Sequence, residues 1–342
     1  MKKLLILLFL LFAGPSFADD RTDLQTQINT LAAAGGGDLY LDAREYVLTQ
    51  APGQFYSLTL PGGVNLIGAG RDKTRLTQAQ GAGPSERLIY VNGTTRIQDL
   101  SLFGNKDYQT VDEHRAGLFI QNGAYSVIER VNSSGFTGDG FTVYSSVSRL
   151  TFNDVAAFSN GRDGLAITPA GSVYGIKIIN SSFWLNAAQQ IDAEPGPVQL
   201  SDVTITGCYL SGGVSQYALA IAGYNSSYHT TDWTVTGNTI DGATDIVWAE
   251  RVLFEGNRGL NWSPLPAVTV YRDSIGVTVQ GNSFVQGQAT VAGVSGILVS
   301  GVSTVNMPSA VLVADNYMSS LYFSGYGIRL SGVTDAVVSK DR

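Results

Sequence analysis

The 342-residue chain has a single cysteine, Cys208, and only two histidines, His114 and His229. One thiol excludes an intrachain disulfide, and so few nitrogen and sulfur donors make zinc chemistry an unfavoured reading. Cys208 lies in Val203-Thr204-Ile205-Thr206-Gly207-Cys208, which matches Val235-Thr236-Gly237-Asn238 one unit later, so a buried structural thiol is expected. Charge is scarce too: 14% of residues are charged, none in a run of one sign, and the formal net charge is −7. Phosphate recognition needs a basic stripe, so no nucleic-acid partner is expected. Beyond the first residues there is no apolar run long enough for a membrane-spanning helix. Glycine is plentiful, at 40 residues, alongside 44% hydrophobic residues. That mix favours many short strands and tight turns over long solvated helices.

Met1-Lys2-Lys3, the apolar stretch Leu4 to Ala13 and the small residues around Ser16-Phe17-Ala18 read as a bacterial-type secretory signal over 1–18, cleaved before Asp19. The expected mature chain is then a single domain, 19–342, in the periplasm or secreted, with no membrane insertion after cleavage. Its one convincing helix is Asp23 to Ala34, with Asp23 as N-cap and Leu24, Ile28 and Leu31 on one face.

A short phrase then returns in register: Gly138-Asp139-Gly140-Phe141-Thr142-Val143, Arg162-Asp163-Gly164-Leu165-Ala166-Ile167 and Gln189-Gln190-Ile191-Asp192-Ala193-Glu194. Repeats in the twenties of residues with an apolar-x-apolar core indicate a solenoid. Gly-Asn pairs at Gly237, Gly256 and Gly281 mark turns whose asparagines can stack in a ladder. The units are too short to contain a real helix, so about eight to ten coils of parallel strands are expected, with the N-terminal helix plugging the open end.

Gly36-Gly37-Asp38-Leu39-Tyr40-Leu41 and Gly63-Val64-Asn65-Leu66-Ile67-Gly68-Ala69-Gly70-Arg71, with the later Asn-containing turns, resemble right-handed parallel β-helix proteins of the pectate-lyase-like superfamily. The resemblance spans nearly all of the mature chain. It implies an all-β, right-handed parallel β-helix with a short N-terminal capping helix. That superfamily holds polysaccharide lyases, glycoside hydrolases, epimerases, tailspikes and adhesins, so the fold does not choose a chemistry.

Chemistry is sought on the outward face. With Leu118/Ile120, Phe141/Val143, Leu165/Ile167, Ile191/Ala193 and Leu219/Ile221 pointing inward, Phe119, Thr142, Ala166, Asp192 and Ala220 point out. Only one coil offers two outward carboxylates, Asp192 and Glu194. Asp139 and Asp163 sit one coil apart at the strand entrance, about 4.8 Å, close enough for one pKa to rise or a cation to be recruited. Asp-Gly at both places is also ordinary turn chemistry. The four acids are the expected catalytic groups, or a calcium site if a cation is held there; no other cofactor is expected. His114, Arg115, Tyr144, Arg162 and Gln190 are expected to bind substrate, with Trp184, Tyr217, Tyr224 and Tyr228 nearby as aromatic faces suited to a sugar ring. His229 reads as a loop residue.

These residues point to a secreted enzyme acting on a polysaccharide or oligosaccharide. Paired carboxylates favour glycoside hydrolysis. The alternatives are a lyase or epimerase on a uronate polymer and a non-catalytic carbohydrate-binding solenoid. Nothing in the sequence sets the oligomeric state.

Overall fold

The computed structural model describes residues 19–81, 86–211, 217–261, 264–286, 294–301, 307–320 and 326–342; the expected signal segment lies outside them. One wall of the molecule is an 11-stranded sheet and the other a 22-stranded sheet. Every strand pairing is parallel, each strand with its counterpart one coil away. The product is a parallel β-solenoid. Its coils, about ten, fall within the expected range.

The strands of the 11-stranded sheet, in chain order, are β1 (Tyr56–Pro61), β2 (Arg87–Asn92), β3 (Leu118–Gln121), β4 (Phe141–Ser145), β5 (Leu165–Ile167), β6 (Ile191–Ala193), β7 (Tyr217–Ala222), β8 (Ala243–Val247), β9 (Val268–Tyr271), β10 (Ile297–Ser300) and β11 (Ile328–Ser331). The apolar pairs expected to point inward are all buried, from Leu118 and Ile120 to Leu219 and Ile221. Phe119, Thr142, Ala166, Asp192 and Ala220 form one outward column, paired coil to coil. Period-two alternation thus sets the core and the working face together.

The first helix, α1 (Arg21–Ala33), buries Leu24 and Ile28 over the first coil. It starts two residues earlier than expected, and Asp20 rather than Asp23 occupies the N-cap, without a side-chain capping bond. Asp20 is otherwise engaged, accepting from the Val47 amide at 2.9 Å and from Arg44 at 2.8 Å. Gln25 of α1 accepts from the Thr59 amide at 2.9 Å and donates to the Thr59 carbonyl at 3.1 Å. An unpaired sheet edge is a template for aggregation, and this amide closes part of it.

Inside the turns, Asn238, Asn257, Asn282 and Asn316 stack as a buried ladder, each Nδ2 donating to the next Oδ1 at 2.9–3.1 Å and ending on Asp341. The left-handed backbone falls on Gly237, Gly256 and Gly281, with φ of 65°, 62° and 62°, which frees each asparagine to point inward. Cys208 occupies the preceding rung: its amide donates to Asn238 Oδ1 at 2.8 Å. Burial raises its thiol pKa to about 11, so it is the structural thiol expected.

Candidate active site

The acids gather at the entrances of β4, β5 and β6. The backbone carries them in step: the Gly140 amide donates to the Asp163 carbonyl at 2.9 Å, and the Gly164 amide to the Gln189 carbonyl at 3.1 Å. The Asp-Gly pairs here are not tight turns, since neither Gly140 nor Gly164 has positive φ. A Cβ at Gly140 would come within 2.7 Å of the Gly164 carbonyl oxygen and 2.9 Å of Asn160 Nδ2. One at Gly164 would come within 2.6 Å of the Gln190 carbonyl oxygen and 2.8 Å of Asn186 Nδ2. Close packing over the Asn160–Asn186 ladder demands glycine, and the aspartates are left for other work.

Arg162 sits at the centre. Its guanidinium lies 3.4 Å from Asp139 Oδ2 and 3.4 Å from Asp163 Oδ2, and its Nη2 donates to Glu194 Oε2. Asp139 accepts from the Thr142 hydroxyl at 3.0 Å and the Asp163 amide at 3.2 Å. Asp163 accepts from the Gln189 amide at 2.8 Å. One cation is not enough for this set. Burial is the main cause raising Asp139 to about 6, against the pull of Arg162. Burial and then the Asp139 charge raise Asp163 to about 7. Burial, then Asp163 and Glu194, raise Asp192 to about 9. The set titrates together, and at neutral pH it holds protons that ordinary carboxylates would have lost, Asp192 most firmly.

Beside this cluster opens a cleft of about 390 Å³, lined by Asp139, Arg162 and Glu194 on one side and by Arg87, Phe119 and Tyr144 on the other, with His114 and Glu113 at its rim. Tyr144 enters by a backbone irregularity. Val143 pairs with Ile120 and Ser145 with Gln121, leaving Tyr144 as an extra residue. A bulge of that kind re-aims a side chain, and the Tyr144 ring packs on Phe119 with centroids 5.0 Å apart. Arg87 lies over the other part of the Phe119 ring, 4.1 Å from its centroid. Among the described residues the Arg87 guanidinium has no ion-pair partner, and its Nε is buried without a hydrogen bond. Its pKa is lowered by burial, against the pull of the Asp112 charge.

The structure places Asp139, Arg162, Glu194, His114 and Tyr144 along the cleft, with Asp163 and Asp192 beside them. Asp192 is 3% exposed, so the outward position expected of it lies beneath its neighbours. It shares a hydrogen bond with Glu194. Two carboxyls in that contact are too close to straddle a glycosidic bond, which takes roughly 5–9.5 Å. Arg115 is fully buried, donates to Gln109 Oε1 at 2.9 Å and faces Glu86, so it is core structure. Gln190 is equally buried and accepts from Asn186 Nδ2 at 2.7 Å. Trp184 belongs to the other sheet, stacked on Phe158 at 4.5 Å. Tyr224 and Tyr228 pair edge to face at 6.3 Å in the loop after β7. His229 bridges Glu250 at 3.1 Å and Asp273 at 3.2 Å and is a coil-to-coil tie.

Arg87 was not legible in the sequence. It lies three residues before Tyr90, with Leu88 and Ile89 both buried between them, so strict alternation would not place Arg87 and Tyr90 on one face. Among the described residues no group of three or more His, Cys, Asp or Glu side chains is placed to hold a metal ion. Arg162 already fills the space between the acids expected to ligate calcium.

No protein-family model matches the chain. It is similar to mannuronan C5-epimerase AlgE4 of Azotobacter vinelandii, 35% identical over 165 residues, which is 44% of this chain and 30% of that protein. It is also similar to alginate lyase 7 of Azotobacter vinelandii, 30% identical over 165 residues, 44% of this chain and 19% of that protein. The chain thus matches less than a third of the length of either relative. Among solved structures, the AlgE4 A-module superposes with a TM-score of 0.69 at 19% identity, covering 95% of this chain and 96% of that one. That likeness establishes the fold, a parallel β-helix.

Proposed function

We propose that this protein is a periplasmic or secreted enzyme acting at C5 of hexuronate residues in an acidic polysaccharide such as alginate, as an epimerase or a lyase. The observation that carries the reading is Arg87, a half-buried guanidinium on the cleft wall that makes no ion pair among the described residues and feels the Asp112 charge only at longer range. A desolvated cation without a counter-ion is costly unless a ligand supplies one, and a uronate carboxylate fits it in bidentate fashion. The similarity to an epimerase and a lyase supports the same choice. Glycoside hydrolysis by Asp192 and Glu194 loses its footing in their mutual hydrogen bond.

Both reactions begin alike. A base removes the proton at C5, and the C–H electron pair moves into the paired carboxyl group. Arg87 stabilises the charge that develops there. Asp139, poised at about 6, is ionised at neutral pH yet basic enough to take that proton. Tyr144, brought in from the far end of β4 by the bulge, supplies a proton donor on the other side of the strand. A proton returned to C5 from the opposite face inverts the centre. Expulsion of the 4-linked oxygen instead breaks C4–O and leaves a C4=C5 double bond, with Tyr144 protonating the leaving oxygen. Burial and the Glu194 charge raise Asp139, while Arg162, the Asp163 amide and the Thr142 hydroxyl pull it back.

The test is incubation with mannuronan and with neutral glycans, with and without calcium, following unsaturated-uronate absorbance and C5 inversion by proton NMR. Either signal on the uronate polymer, reduced at least 100-fold in Arg87→Ala, supports the reading. New reducing ends without unsaturation would restore hydrolysis. No product on any glycan would leave the non-catalytic solenoid.

A further inference from the structure

The outward column that carries Asp192 continues through Ala220 to Asp245, two strands on. Around Asp245 stands a second group of side chains that the cleft does not use. Arg272, just after β9, lays its guanidinium over the Trp248 ring, 4.1 Å from its centroid, and 5.2 Å from that of Tyr271. Trp248 and Tyr271 are half-buried, so part of each ring remains open. Tyr217 on β7 comes near Asp245 from the other side. Among the described residues neither Arg272 nor Asp245 has an ion-pair partner, although the Arg272 charge acts on Asp245. Trp248 Nε1 is buried without a hydrogen bond.

This combination has one good chemical complement. Aromatic walls suit the apolar C–H face of a sugar ring, and a guanidinium stacked on an indole keeps its in-plane donors free for a carboxylate. Asp245 offers an acceptor for ring hydroxyls. Asp192 and Asp245 are two strand steps apart, about 10 Å, and Arg272 follows a third step, about 14 Å from the acid cluster. A polymer lying along the sheet normal to the strands would reach both places at once.

We propose that Tyr217, Asp245, Trp248, Tyr271 and Arg272 form a second carboxylate-recognising sugar position, which binds another hexuronate residue of the same polymer chain. The position rests on the uronate reading of the cleft and extends it: the enzyme grips its substrate two to three coils beyond the reacting residue. A second anchor on one ligand raises affinity once the ligand is long enough to span both.

The experiment measures affinity by calorimetry for size-defined oligouronates, disaccharide upward, and for neutral oligosaccharides of matched length. Wild type is compared with Arg272→Ala and Trp248→Ala, each shown by its melting curve to be folded. The expected result is a gain of about tenfold or more in wild-type affinity above a threshold length, lost in both variants, with short-oligomer affinity unchanged. The same length dependence in wild type and Arg272→Ala would overturn the second position. So would equal losses for short and long oligomers, or an identical threshold with neutral glycans. Failure of the cleft reading looks different: Arg87→Ala would leave disaccharide binding and turnover intact.

Discussion

Removing the Arg162 guanidinium tests the electrostatic heart of the site without any assumption about substrate. In Arg162→Met, Asp139 and Asp163 lose a cation 3.4 Å away. Two unit charges at that separation attract by about 5 kcal/mol at an effective dielectric of 20, before desolvation is subtracted. Breaking a buried pair from one side costs about 3–5 kcal/mol. That cost depends on pH. Asp139, Asp163 and Asp192 have folded pKa values raised to about 6, 7 and 9. Raised acids favour the folded state fully below their unfolded values, and that advantage drains away as pH rises through the folded ones. At pH 5 all three are largely neutral and need no counter-ion, so the substitution should cost little, about 1 kcal/mol. At pH 8 Asp139 and Asp163 are ionised and buried beside an apolar side chain, and the full cost applies. At roughly 2 °C per kcal/mol for a chain of this size, the melting midpoint should drop by about 6–10 °C at pH 8 and by about 2 °C at pH 5. Thermal unfolding followed by circular dichroism across pH 5–9 reads this. A drop of equal size at both ends of the range would refute the argument, because it would mean that the acids keep one charge state throughout.

Further outcomes follow from the same geometry. Asp192→Asn mimics the neutral acid present at neutral pH, so activity at pH 7 should stay within about threefold of wild type, while stability lost between pH 7 and 9 should diminish; a hundredfold loss of turnover would show that Asp192 acts in its ionised form. Tyr144→Phe keeps the packing on Phe119 and removes the proposed proton donor, so kcat should fall by about 10²–10⁴ with little change in KM; unchanged kcat would remove Tyr144 from the chemistry. Asn257→Ala strips partners from Asn238, Val235 and Asn282 and should cost about 2–3 kcal/mol in denaturant unfolding; a cost below 0.5 kcal/mol would mean that the ladder contributes little.

Much of the scaffold was readable in one dimension, since a strand's period of two assigns inward and outward positions without knowledge of neighbours. Asp139 and Asp163 could be placed one coil apart from the repeat interval alone, as could Cys208 in its asparagine column. Side-chain partnerships were not readable. Arg115 and Gln190 sit beside catalytic candidates in sequence, yet Gln109 and Asn186 draw them into the interior. Trp184 follows β5 closely but lies on the other sheet. The Asp-Gly pairs looked like turns because the signal for turning and the signal for close packing are the same residue.

By itself the sequence determined a parallel solenoid, its inward column, its asparagine rungs and the coils on which acids cluster. These are properties of periodicity, and stacking identical units converts period directly into position. Only the tertiary structure decided the charge states and the chemistry. Burial, which no local pattern encodes, lifts the three aspartates; a one-residue bulge turns Tyr144 into the cleft; and Arg87, out of phase with the alternation, arrives there as a cation that lacks a described anionic partner.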